Sequence, residues 1–131
     1  MLRIGYLPSD FNPMILMLGE AEDFRALSGV LRGFSRDTAD KRVDQLGFCQ
    51  PGNTQLTLTA SPGPPGVQAA ADGGFVWRID ADRAAGFAIL ADGLADSGRL
   101  AGSELLACSI QEEIPVKLSR GEYTDDFLTT V

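Results

Sequence analysis

The densest run of groups able to do chemistry is residues 119–126, Ser-Arg-Gly-Glu-Tyr-Thr-Asp-Asp. Arg120 offers a fork of donors suited to a carboxylate, and Tyr123 offers a phenol. Glu122 and Asp125 are acceptors, and either could serve as a general base. The run follows an apolar segment, so a strand would deliver it to the rim of a sheet. Arg120, Glu122, Tyr123 and Asp125 are therefore the expected ligand contacts, with the ring of Trp77, beside Phe75, as a wall. The plainer alternative is preferred: a turn whose tyrosine packs over a sheet edge, and an end segment docked through Phe127 and Leu128.

Other constellations carry less. Asp80, Asp82, Asp92 and Asp96 have the oxygens of a hard-cation site. A helix cap (Asp80, Asp82) and a solvated helix face (Asp92, Asp96) account for all four, and no metal is expected. Residues 61–74, SPGPPGVQAAADGG, contain no phosphate-binding fingerprint, and their prolines remove the N–H donors such a loop uses. They read as a connector. Cys49 and Cys108 lie in apolar runs with no base beside them, which suits buried, reduced thiols. The chain has no histidine, which removes triad chemistry and the commonest metal ligand. No catalytic residue and no cofactor is expected, and the reading leans away from an enzyme.

These groups must be positioned by a scaffold, and its best-marked element is residues 74–99. Phe75, Val76, Trp77 and Ile79 suit a strand. Asp80 and Asp82 then open an Ala-rich helix with Ala84, Phe87, Leu90, Ala91 and Leu94 on one side, stopped by Ser97 and Gly98. Earlier, residues 20–34 form a helix with Phe24, Leu27, Val30, Leu31 and Phe34 on one face. Glu22, Arg25 and Arg32 lie on the other. Strands are expected at 2–7, 14–18, 42–50, 55–60, 103–110 and 114–119, with a tight hairpin at Pro51-Gly52-Asn53.

Adding 60 carries Leu27 to Phe87, Val30 to Leu90, Leu46 to Leu106, Phe48 to Cys108, Leu56 to Val116 and Leu58 to Leu118. The chain therefore reads as one α+β domain over residues 1–131. It has two βαββ-like halves, 14–60 and 74–120, with 61–73 as connector. Antiparallel pairing into one sheet or two, with both helices on one side, is the simplest assembly.

The chain has 131 residues and a formal net charge of −7, which argues against nucleic acid and anionic membrane as partners. Residues 12–19 are too short an apolar run to span a bilayer, and residues 1–6 lack a signal peptide's apolar core. A cytoplasmic protein of a GC-rich bacterium is expected. Two function classes follow. The first is a non-enzymatic domain meeting a basic protein through Glu20, Glu22, Asp92, Asp96, Glu112, Glu113, Asp125 and Asp126. In size and charge such a chain is similar to toxin-neutralising immunity proteins, which implies an antitoxin-like or adaptor role. The second is a small-molecule site near residues 120–123. In module order the chain resembles the glyoxalase-like proteins with paired βαβββ units, which implies a metal-free relative, because that family's metal-binding histidines have no counterpart here. A homodimer through an exposed edge at Met14–Leu18 or around Val116 is a further expectation.

Overall fold

The computed structural model describes residues 1–8, 13–96, 101–110 and 112–121. Helix α1 spans Ala21–Asp37. Glu20 and Asp23 form a reciprocal capping box at its start, where the Glu20 N–H donates to Asp23 Oδ2 at 2.9 Å. The helix ends where Thr38 turns left-handed and its N–H returns to the Phe34 carbonyl at 2.8 Å. Phe24, Leu27, Leu31 and Phe34 are fully buried, as their three-and-four spacing requires. Helix α2 spans Ala81–Leu94, with Asp80 as its N-cap. It buries Ala84, Phe87, Ala88, Ala91 and Leu94. The three alanines leave little between the two backbones, and α1 and α2 pack directly on each other, joined outside by the Arg32–Asp92 ion pair.

Eight strands make two four-stranded sheets, so the fold is α+β. The first sheet has the order β1 (Arg3–Leu7), β2 (Met14–Leu18), β8 (Val116–Arg120), β7 (Gly102–Leu106). The second runs β3 (Lys41–Arg42), β4 (Leu56–Thr59), β6 (Phe75–Arg78), β5 (Gly66–Ala69). The outer pairs in both are antiparallel. The central pairs are parallel, with Ile15 opposite Val116 and Leu58 opposite Trp77. Both sheets are therefore mixed, because at each centre a strand from before residue 60 meets one from after it. Inward side chains of both sheets and the buried helix faces form one core, in which Trp77 stacks on Phe87 at 6.1 Å. Tyr6 and Phe75 bring the two sheets' rings to 4.7 Å.

Several expectations are corrected. Met14–Leu18 and the strand at Val116 are interior strands with partners on both sides, so neither offers a free edge. The connector contains a strand, β5, held by β6 and by a bridge from Val67 to Ile114. The strand expected over 42–50 is two residues followed by a 3-10 turn, Val43–Gln45. The cause is Asp44. Its carboxylate pairs with Arg42 at 2.8 Å and accepts the Leu56 N–H at 2.9 Å, so the chain folds around it. Because β3 pairs Lys41 with Leu58 and Arg42 with Thr57, residues 43–55 form a long connection, not a tight hairpin. The strand expected to reach residue 110 stops at Leu106. The helix stop expected at Ser97-Gly98 lies outside the described residues.

Burial alone raises the pKa of Asp44, but its bonds from Arg42 and Leu56 outweigh that and hold it below the ordinary aspartate value. A folded-state pKa below the unfolded one means stabilisation that is complete above the ordinary value of 3.8 and lost as pH falls through the folded value. Urea midpoints measured from pH 6 down to pH 2 should show this as an acid limb that flattens in Asp44→Asn. An unchanged limb would show that Asp44 is not part of it.

Candidate functional site

Of the residues singled out by type and spacing, Arg120 is placed on β8 but serves α2. Its Nη1 donates to the carbonyls of Leu94 at 2.8 Å and Asp96 at 3.1 Å, and Arg25 Nη2 donates to Ala95 at 3.2 Å. These are carbonyls a helix end leaves unpaired, and cations are favoured there by the dipole. Trp77 is 1% exposed, in the core of the other sheet. Arg120 and Trp77 are thus not brought together, and Glu122, Tyr123 and Asp125 lie outside the described residues. Arg120→Ala should cost about 1–3 kcal/mol through the carbonyls it orphans. Helical circular dichroism and the urea midpoint check this, with Arg120→Lys expected to keep part of it.

A pocket of about 380 Å³ lies where β6 gives way to α2. Ala60, Ser61, Pro62, Gly63 and Pro65 form one wall; Arg78, Ile79, Asp80 and Arg83 form the other. Strand alternation sends Arg78 to the face opposite Trp77. There its Nε is buried without a hydrogen-bond partner. Gly63, at φ 149°, makes room for it: a Cβ at that position would stand 2.7 Å from Arg78 Nε. Arg83, in the first turn of α2, is exposed. Neither guanidinium has a hydrogen-bond or ion-pair partner among the described residues. Asp80 Oδ1 accepts the Arg83 backbone N–H at 2.8 Å.

Beside this pocket the chain supplies its own anion to a backbone cradle. The Glu113 carboxylate accepts the N–H groups of Cys108 at 2.6 Å, Ser109 at 2.8 Å and Ile110 at 3.4 Å. Ser109 and Glu112 turn left-handed to shape the loop. A side chain on Gly66, at φ 93°, would collide with that carboxylate, so Glu113 packs against the start of β5, next to the pocket's Pro65. Burial pushes the Cys108 thiol up, and Glu113 adds to this against the opposing charge of Arg83. Cys49 is pushed up to about 11 by burial and by Asp23 and Asp44. Neither sulfur is poised as a thiolate near neutral pH. Among the described residues no group of three or more His, Cys, Asp or Glu side chains is placed to hold a metal ion.

Several carboxylates are engaged within the fold, most of them in holding backbone. Asp80 caps α2, Asp44 anchors residue 56, and Asp72 accepts the Gly74 N–H at 3.0 Å. Asp92 pairs with Arg32, and Glu113 fills its cradle. Sequence reasoning missed the arginine pocket. The available signal was an arginine on each side of a helix-capping aspartate, with a glycine-rich segment nearby.

The fold and pocket define an α+β domain with a small cationic cleft. Comparisons with family models, curated proteins and solved structures found none that matches this chain.

Proposed function

We propose that this chain is a non-catalytic binding domain that takes a small anionic molecule between residues 60–65 and the start of α2. The observation that carries the reading is the Arg78 guanidinium, without a partner among the described residues and with its Nε buried, in a pocket that also holds Arg83. A buried donor left unpaired costs about 1–3 kcal/mol, more when charged. A carboxylate or phosphate oxygen pair would meet that guanidinium's fork directly. In a chain of net charge −7, a cleft whose two guanidiniums have no partner among the described residues and outnumber its one carboxylate, Asp80, is a local reversal of sign that attracts an anion the rest of the surface repels. Pro62, Pro65 and Ile79 provide apolar contact for the ligand's body. Titration calorimetry at low salt with acetate and inorganic phosphate tests this. At least one should bind, at least tenfold more weakly in Arg78→Gln and Arg83→Gln variants whose circular dichroism matches the parent. Absence of binding to the parent chain by every carboxylate and phosphate tried, amino acids included, overturns the reading.

The acidic balance supports a second reading, docking of a basic protein. Glu22 and Asp82 stand exposed at matching places in the first turns of α1 and α2. Such docking predicts salt-sensitive binding of a lysine-rich peptide, lost in a Glu22→Gln, Asp82→Gln double variant and kept in Glu112→Gln. Either role fits a bacterial cytoplasm, where two free thiols such as Cys49 and Cys108 persist. Among the described residues no helix is long and apolar enough to cross a membrane.

A further inference from the structure

The pocket at Arg78 carries charge of both signs, and we infer that its ligand is a small zwitterion, an α-amino acid with an apolar side chain. This rests on the anion-binding reading above and narrows it. Asp80 decides the matter. Its Oδ1 already accepts the Arg83 N–H, so the start of α2 is capped by the chain's own carboxylate and its first amides are not left waiting for an external anion. A phosphate or dicarboxylate seated between Arg78 and Arg83 would share the cleft with that carboxylate, and like charges at short range repel.

A single carboxylate beside a single ammonium removes the conflict. The carboxylate takes the fork of Arg78, with Arg83 adding attraction from the rim. The ammonium turns to Asp80, whose Oδ2 has no hydrogen-bond partner among the described residues. The remaining lining is Ala60, Pro62, Gly63, Pro65 and Ile79, with Ser61 the one hydroxyl. Two of those residues are prolines without an N–H, so the walls suit an apolar side chain. The volume of about 380 Å³ lies at the small end of the range for small-molecule sites, which fits one residue-sized ligand. Gly63 is part of the device. It leaves the Arg78 side chain lying against the loop where any larger residue would displace it.

The test compares three probes by calorimetry: L-leucine, 4-methylpentanoate, which lacks the ammonium, and 3-methylbutylamine, which lacks the carboxylate. The parent chain should bind L-leucine at least tenfold more tightly than either analogue. Asp80→Asn keeps a good capping side chain and so should keep the melting temperature, while losing the preference for L-leucine over 4-methylpentanoate. Arg78→Gln should weaken binding of both. If 4-methylpentanoate binds as tightly as L-leucine, the zwitterion inference is overturned and the anion pocket stands. The inference also fails if Asp80→Asn keeps the preference. If the three probes, acetate and phosphate all fail to bind the parent chain, the anion pocket falls with it.

Discussion

Trp77→Ala should lower the stability of this protein by ~3–5 kcal/mol, the loss typical of a large aromatic residue removed from a packed core. Trp77 is 1% exposed. It sits in β6 with Leu58 of β4 opposite on one side and Val67 of β5 on the other, and its ring stacks on Phe87 of α2. One side chain thus joins three strands and a helix, so the cavity left behind has several walls and no single neighbour able to fill it. For a domain whose whole stability is on the order of 5–15 kcal/mol, that is about a fifth of the total or more. Urea unfolding measures it as a shift of the midpoint at constant slope. Trp77→Phe, which keeps a ring against Phe87, should cost less than the alanine variant. A loss below about 1 kcal/mol in Trp77→Ala would mean the ring is not a core residue. Because the chain contains one tryptophan, the parent's fluorescence reports the same site.

The helices were legible because their signals are local. Phe24, Leu27, Leu31 and Phe34 announce a buried face, and Glu20 and Asp80 announce the starts. The apolar strands expected at 14–18, 55–60 and 114–119 are equally plain, and β2, β4 and β8 fall on them to within two residues. The failures share one cause, which is that pairing is tertiary. The segment Gly66–Ala69 has one strong strand former, Val67, and follows two prolines; it becomes β5 because β6 lies alongside with open backbone groups. Arg120 reads as a ligand contact in sequence, yet its partners are carbonyls 24 and 26 residues earlier. The Arg78 pocket was hidden for the same reason. An outward-facing strand residue looks solvated until the loop at residue 63 is known to lie over it.

The same reliance on distant pairing makes a strong prediction about the chain cut after residue 60. The first sheet takes β1 and β2 from before the cut and β7 and β8 from after it; the second takes β3 and β4 from before and β5 and β6 from after. Substituting each element by the one about sixty residues away turns one sheet order into the other, so neither half is privileged. Each half keeps two antiparallel strand pairs and one helix, but both parallel central pairs, β2–β8 and β4–β6, run between halves. The α1–α2 contact also joins the two halves. A fragment of residues 1–60 would therefore expose the buried faces of Ile15, Met17, Leu56 and Leu58 together with the open edges of β2 and β4. Two-stranded pieces with one helix bury too little to offset chain entropy. Neither fragment should show a cooperative thermal transition alone, while the two mixed at equal concentration should recover the parent's circular dichroism and tryptophan emission. A cooperatively folded monomer of residues 1–60 would contradict the exchange of strand pairs between halves. Failure of both to recover on mixing, with each soluble, would place the barrier in folding kinetics, because long-range strand pairing must wait on a bimolecular encounter once the chain is cut.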